Sequence, residues 1–260
     1  VIFTTACDQM RRGFDAAFHY GNQRAFLFNL PATWQTPAAK EMFRSELARL
    51  SRFLLTLGGV RPSSSKLQHE MERSADARQS LIDLAPVSSA REFVEALDRF
   101  HRDGSLLPLP EIANANKVPL ALVGGPFTTS HWHLFDEIES AGGRVVLNAT
   151  ETGERSLSPT FKLGDSDPFA ALVDGYCDHM ADVFQRPNTR LYSWLKARLA
   201  SRHVRGIVLW HFTGCDLWRA EAESLREAFG LPVLVLEVGG ESGNAPRELT
   251  RLQAFVETLR

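Results

Sequence analysis

Cysteine is scarce in this chain: three thiols among 260 residues, at positions 7, 177 and 215. An odd, widely spaced set cannot build the dense cross-linked framework of a small secreted scaffold, and it points to a reducing, cytoplasmic setting. Cys-x-x-Cys and His-x-x-x-His spacings are missing too, which disfavours zinc. No apolar run approaches the length needed to span a membrane. A surplus of one charge is also lacking. With 29 Lys and Arg against 31 Asp and Glu, the net charge is −2 and no basic block marks a nucleic-acid or anionic-lipid surface. Gly-x-Ser-x-Gly, His-Glu-x-x-His and Walker segments do not occur, which argues against the common hydrolases and against ATPase activity in this chain itself. The numbered chain opens Val1-Ile2-Phe3, with no methionine, charged leader or cleavage pattern, and reads as a fragment rather than a natural start or signal peptide.

A hydrophobic content of 44% in 260 residues supports one large core or two medium ones. Two places repeat a short pattern: Phe3-Thr4-Thr5-Ala6-Cys7-Asp8-Gln9-Met10-Arg11 and Phe212-Thr213-Gly214-Cys215-Asp216-Leu217-Trp218-Arg219. Each cysteine follows an apolar run and precedes a helical stretch, so both thiols belong at the carboxyl ends of parallel strands, where open α/β folds place their chemistry. A thiol just ahead of a helix meets the positive end of its macrodipole, which favours thiolate, the form that attacks electrophiles and ligates soft metals. Two such positions suggest a metal or cluster.

The element pattern alternates strands and helices. Residues 1–5 end a strand, 7–18 form a helix and 24–30 a second strand. A long helix over 37–57 carries Phe43, Leu47, Leu50 and Leu54 on one face and stops at Gly58-Gly59. Helices are predicted at 66–84 and 90–102, with no strand before Val118. A second set follows: strands at 119–123, 144–147, 207–212 and 232–238, and helices ending at 138 and over 168–184, 190–201, 220–229 and 248–259. The expected architecture is α/β, with a partial first α/β domain at 1–59, a helical connector at 60–116 and a second flavodoxin-like domain at 117–260. The two parallel sheets are expected to face each other across a cleft.

On these residues the sequence resembles the 2-hydroxyacyl-CoA dehydratase family, which includes the benzoyl-CoA reductase subunits. The matching segments are Thr4-Thr5-Ala6-Cys7-Asp8-Gln9-Met10-Arg11-Arg12, Gly206-Ile207-Val208 with Gly214-Cys215-Asp216, Pro232-Val233-Leu234, and Thr250 to Glu257. The resemblance implies two flavodoxin-like (Rossmann-type) domains plus a helical part, with a 4Fe-4S cluster between the domains. It implies Cys7 and Cys215 as cluster ligands and a third cysteine upstream of Val1. A cluster with fewer than four protein thiolates keeps one iron open for water or a substrate oxygen. The resemblance also implies an acyl-CoA substrate, a homologous second subunit, and an ATP-dependent iron-sulfur activator whose low-potential electron makes a thioester ketyl that eliminates the neighbouring hydroxyl. Dehydration of a 2-hydroxyacyl-CoA is the first reading. Reduction of an aromatic or other acyl-CoA, and a cluster-less binding or scaffolding subunit, stand as alternatives.

Further residues carry two readings each. Cys177 lies within a helical pattern and reads as a packed structural thiol. Asp8 and Asp216 read as helix caps, or as groups orienting a cluster. Arg11, Arg12 and Arg219 read as surface or ion-pairing cations, or as charges near a cluster. Thr150-Glu151-Thr152-Gly153-Glu154-Arg155 falls where the family often has Cys-Thr-Gly-x-Arg, so Glu151 stands at the cysteine position. Glu151 and Arg155 are candidate cleft residues, or else belong to an acidic helix start. Gly124-Gly125-Pro126 is either an anion cradle for a CoA phosphate or a tight turn. His131 is a candidate cleft acid or base, and its spacing to His133 makes the two poor joint ligands.

Overall fold

A computed structural model of the chain describes residues 1–21, 24–106, 116–157, 167–239 and 245–260. The chain divides into two compact units, Val1–Ala75 with Pro159–Arg190, and Asp76–Ser158 with Leu191–Arg260. Both are α/β with parallel strands, as the alternating pattern predicts. Residues 107–115 of the expected connector lie outside the described residues.

In the first unit, β1 (Ile2–Thr4) pairs in parallel with β2 (Phe26–Phe28), joined by α1 (Asp8–His19). α2 (Pro37–Thr56) follows, with Pro37 at its first position and the Thr36 hydroxyl accepting from the Ala39 amide at 3.2 Å. Phe43 is buried against Phe28, and Leu47 and Leu50 pack on the same core. The fourth predicted contact differs: Leu54 is 46% exposed, while the Phe53 ring sits 5.0 Å from that of Phe26. A three-residue step from Leu50 keeps the stripe over β2, and a four-residue step carries Leu54 past its edge. α2 also covers the edge of β2 that faces away from β1. Glu46 accepts from the Asn29 amide at 2.8 Å, and Arg49 donates to the Leu27 carbonyl and lies 4.2 Å over the Phe26 ring. Such side-chain cover blunts an otherwise open strand edge.

α3 (Ser64–Leu84) and α4 (Ala90–Asp103) supply the predicted helical stretch. Far along the chain, α6 (Pro168–His179) places Val173 and Cys177 in the Phe26, Phe28 and Phe43 core. The apolar face of α6 therefore completes the first unit, and the units are not the contiguous segments 1–59, 60–116 and 117–260. The helix also ends at His179 instead of 184, because Met180 is already extended.

The second unit is a four-stranded parallel sheet in the order β4-β3-β5-β6, from β3 (Val118–Gly124), β4 (Gly143–Thr150), β5 (Gly206–Phe212) and β6 (Val233–Val238). Leu120, Leu122, Val208, Trp210 and Leu236 face one side, covered by α5 (His133–Ser140) and α9 (Ala245–Thr258) through Leu134, Ile138, Leu252 and Val256. Alternation turns Ala121, Val123, Ile207 and Leu209 to the other side, and all four are fully buried. That two-sided burial explains why these strands read as unbroken apolar runs. α7 (Thr189–Ser201) precedes β5, and α8 (Asp216–Phe229) joins β5 to β6 and packs on both. Among the described residues, no helix is long and apolar enough to cross a membrane.

Candidate functional site

Both cysteines of the repeated pattern take the same local place. Cys7 is the N-cap of α1 and Cys215 the N-cap of α8, each half-buried just past the carboxyl end of a parallel strand. In neither helix does the thiol cap the first-turn amides. Asp8 and Asp216 are the first helical residues, so they are first-turn acids facing the macrodipole and not the caps themselves. The strand ends are anchored before each thiol. The Thr5 amide donates to the Phe28 carbonyl at 3.1 Å and its hydroxyl accepts from the Leu30 amide at 2.9 Å. On the other side, the Thr213 amide reaches the Val238 carbonyl at 2.8 Å and the Cys215 amide the Phe212 carbonyl at 2.9 Å. Gly214 makes the turn between them at φ +84°, a left-handed conformation that glycine adopts without steric cost.

In the second sheet the chain runs from β3 to β4 on one side and from β5 to β6 on the other, so the topological switch point lies between β3 and β5. Open α/β sheets bind ligands in the crevice beyond the strand ends at such a point. Here its walls are the Gly124-Gly125-Pro126 loop and the Gly214-Cys215 turn. The loop is no anion cradle. The Gly125 amide donates to the Trp210 carbonyl at 3.2 Å, the Phe127 amide to the Thr152 hydroxyl at 2.9 Å, and Pro126 has no N–H to offer. It is a tight turn, followed by a 3-10 turn at Thr129–His131. A side chain at Gly124 would collide with the Trp210 carbonyl, so the close approach of β3 to β5 requires glycine there.

The segment after β4 divides its residues between surface and interior. Glu151 is exposed at the carboxyl edge, its amide 3.4 Å from the Gly125 carbonyl. Arg155 is buried: it donates to the Gly124 carbonyl at 2.9 Å and the Ala149 carbonyl at 3.3 Å, and its guanidinium lies 4.9 Å from the Trp218 ring centre. Arg155 therefore staples the ends of β3 and β4 from beneath. Glu154, which no sequence motif singled out, is buried too. Arg202 meets it in a two-pronged ion pair at 2.6 and 2.7 Å. Burial pushes its carboxyl up, and the guanidinium is the main offset. A run of Glu-Arg beside a strand end carries no signal of which side chain turns inward.

His131 packs its ring 5.0 Å from Trp210 and 5.4 Å from Phe212, at the end of β5, with Nδ1 2.9 Å from the Thr128 hydroxyl. Burial, with His133 adding to it, pushes its imidazole below the usual histidine value. His133 is exposed and its Nδ1 donates to the Ser130 carbonyl at 3.0 Å. Cys177 is 3% exposed inside the first unit, where burial pushes its thiol up. Arg11, Arg12 and Arg219 are exposed. Among the described residues, no group of three or more His, Cys, Asp or Glu side chains could share a metal ion. Cys7 lies in the first unit and Cys215 in the second.

The family model for the 2-hydroxyglutaryl-CoA dehydratase D-component matches residues 1–259. The chain belongs to that family. It is therefore a component of a 2-hydroxyacyl-CoA dehydratase type of enzyme. No curated protein matches it. Family membership agrees with the parallel α/β architecture.

Proposed function

We propose that this chain is a subunit of an iron-sulfur 2-hydroxyacyl-CoA dehydratase, with Cys7 and Cys215 each lending a thiolate to a 4Fe-4S cluster. The observation that carries the reading is the matched placement of the two thiols, each opening a helix at a parallel strand end, in a chain that the family model matches throughout. The residues fit such a group in kind. Both thiols are soft donors, partly accessible, and left out of helix capping. When bound, the cluster supplies an iron open to a substrate oxygen. The chain's own residues position it: the Gly214 turn and the Thr213 amide orient Cys215, and Thr5 orients Cys7. Around Cys215, Arg155 and Thr152 hold the β3 and β4 ends rigid. His131, whose imidazole burial pushes below the usual histidine value, stands at this edge in the role of a proton acceptor.

In this reading an ATP-dependent iron-sulfur activator delivers one electron, the acyl-CoA thioester becomes a ketyl, the 2-hydroxyl leaves as hydroxide, and loss of a C3 proton with return of the electron completes a redox-neutral loss of water. A homologous second subunit completes the enzyme, and the setting is cytoplasmic. The test is iron and acid-labile sulfide on protein purified without oxygen, with Cys7→Ser and Cys215→Ser alongside. Near four irons per chain, with most lost in either variant while the fold persists, is expected. Iron unchanged in both variants refutes the ligand assignment, and no iron or sulfide even after anaerobic reconstitution favours a binding or scaffolding subunit instead.

A further inference from the structure

Trp218 is the third residue of α8, one turn beyond Cys215, and so shares its face of the helix. Helical side chains lean toward the amino end, which carries the indole back under the first turn and toward the β3 loop. Its edge lies against Gly125: a Cβ there would stand 3.5 Å from Cδ1 and 3.7 Å from Nε1. The residue is 1% exposed, yet Nε1 has no hydrogen-bond partner among the described residues. A buried indole N–H ordinarily finds an acceptor. None is at hand here. Arg155, over the ring face, is a donor only, Gly125 has no side chain, and its carbonyl receives the Glu151 amide. Cys215 caps none of the first-turn amides of α8. Trp132 and Trp194 also have unpartnered Nε1 atoms, but both rings are half-buried, and neither opens a helix beside a thiol.

We propose that the Trp218 indole N–H is a donor reserved for a sulfide of the cluster bound at Cys215, which makes Trp218 a positioning residue that tunes that group's redox balance. The inference rests on the proposed ligand role of Cys215. A hydrogen bond to a cluster sulfur stabilises the more negative, reduced state, so removing it favours the oxidised one.

The test uses the full chain reconstituted anaerobically with iron and sulfide. Trp218→Phe keeps an aromatic side chain and removes the N–H. It is expected to bind iron as the parent does, to shift the reduced-to-oxidised ratio roughly tenfold, about 59 mV negative for a one-electron couple, and to change the paramagnetic resonance of the reduced cluster. Gly125→Ser offers the indole an acceptor in place of the cluster and should shift the potential in the same direction, while Gly125→Ala should not. An unchanged potential and spectrum in Trp218→Phe, or Ser and Ala behaving alike at Gly125, overturns the inference. A parent protein that takes up no iron overturns the ligand reading of Cys215 instead.

Discussion

Replacing Glu154 by Gln keeps the shape of a buried side chain and removes its charge. Glu154 accepts from both terminal nitrogens of Arg202, at 2.6 and 2.7 Å, and from the Asn148 amide at 3.3 Å. Arg202 also donates to the Val146 carbonyl at 2.6 Å, so the pair ties β4 to the end of α7. The two side chains are 4% and 12% exposed, so the screening that makes surface pairs nearly worthless does not apply. Breaking one partner of a buried pair costs about 3–5 kcal/mol, because the other charge remains buried and uncompensated. The amide oxygen of Gln still accepts one bond, which places Glu154→Gln near the lower end. Replacing both residues by Leu should cost less than the two single Leu changes added together, with a coupling of at least roughly 1.5 kcal/mol. Urea unfolding followed by tryptophan fluorescence reports on it, since four of the five tryptophans, at 132, 194, 210 and 218, belong to the second unit. A single-variant loss below about 1 kcal/mol, or additive losses in the double variant, would refute the claim that this pair anchors the carboxyl edge of β4.

Burial pushes the Glu137 carboxyl up, and Glu248 and Asp136 add to this against the opposing effect of His133. The folded chain therefore holds this proton more tightly than the unfolded one. Stability contributed at Glu137 grows as pH falls through the raised value toward the ordinary carboxyl range, and Glu137→Gln should flatten that dependence in urea titrations across mildly acidic pH. Gly124→Ala should cost roughly 3 kcal/mol or more, since its φ of +148° and the Trp210 carbonyl both oppose a side chain, and a parent-like unfolding midpoint would contradict this. In the metal-free chain, Cys177 should resist alkylation until the protein unfolds, whereas half-buried Cys7 should react in the folded state. Equal rates by mass spectrometry would place Cys177 outside the core.

Period and punctuation, both local properties, made most elements legible in the amino-acid sequence. Apolar runs marked β3, β5 and β6, and the spacing of Phe43, Leu47 and Leu50 with the Gly58-Gly59 stop marked α2. The placement of Cys7 and Cys215 at helix starts after strands was legible for the same reason, because a strand-turn-helix is contiguous in the chain. Tertiary structure alone decided which charged residues turn inward. Glu154 and Arg202 are 48 residues apart, and only the folding of β4 beside α7 gives each a reason to be buried. Arg155 looked like a cleft cation. It is instead consumed by carbonyls at two strand ends that exist only once β3 and β4 have paired. The Gly-Gly-Pro turn lost its reading as an anion cradle because its amides were claimed by neighbours brought in from β5 and from beyond β4. Likewise α6 belongs to the first unit because Val173 and Cys177 fit the phenylalanines of β2 and α2, a complementarity of shape that helical period does not encode. The sequence by itself determined what each segment becomes and where the thiols stand. Which segments meet, and which polar groups are buried by meeting, depended on contacts between residues far apart in the chain.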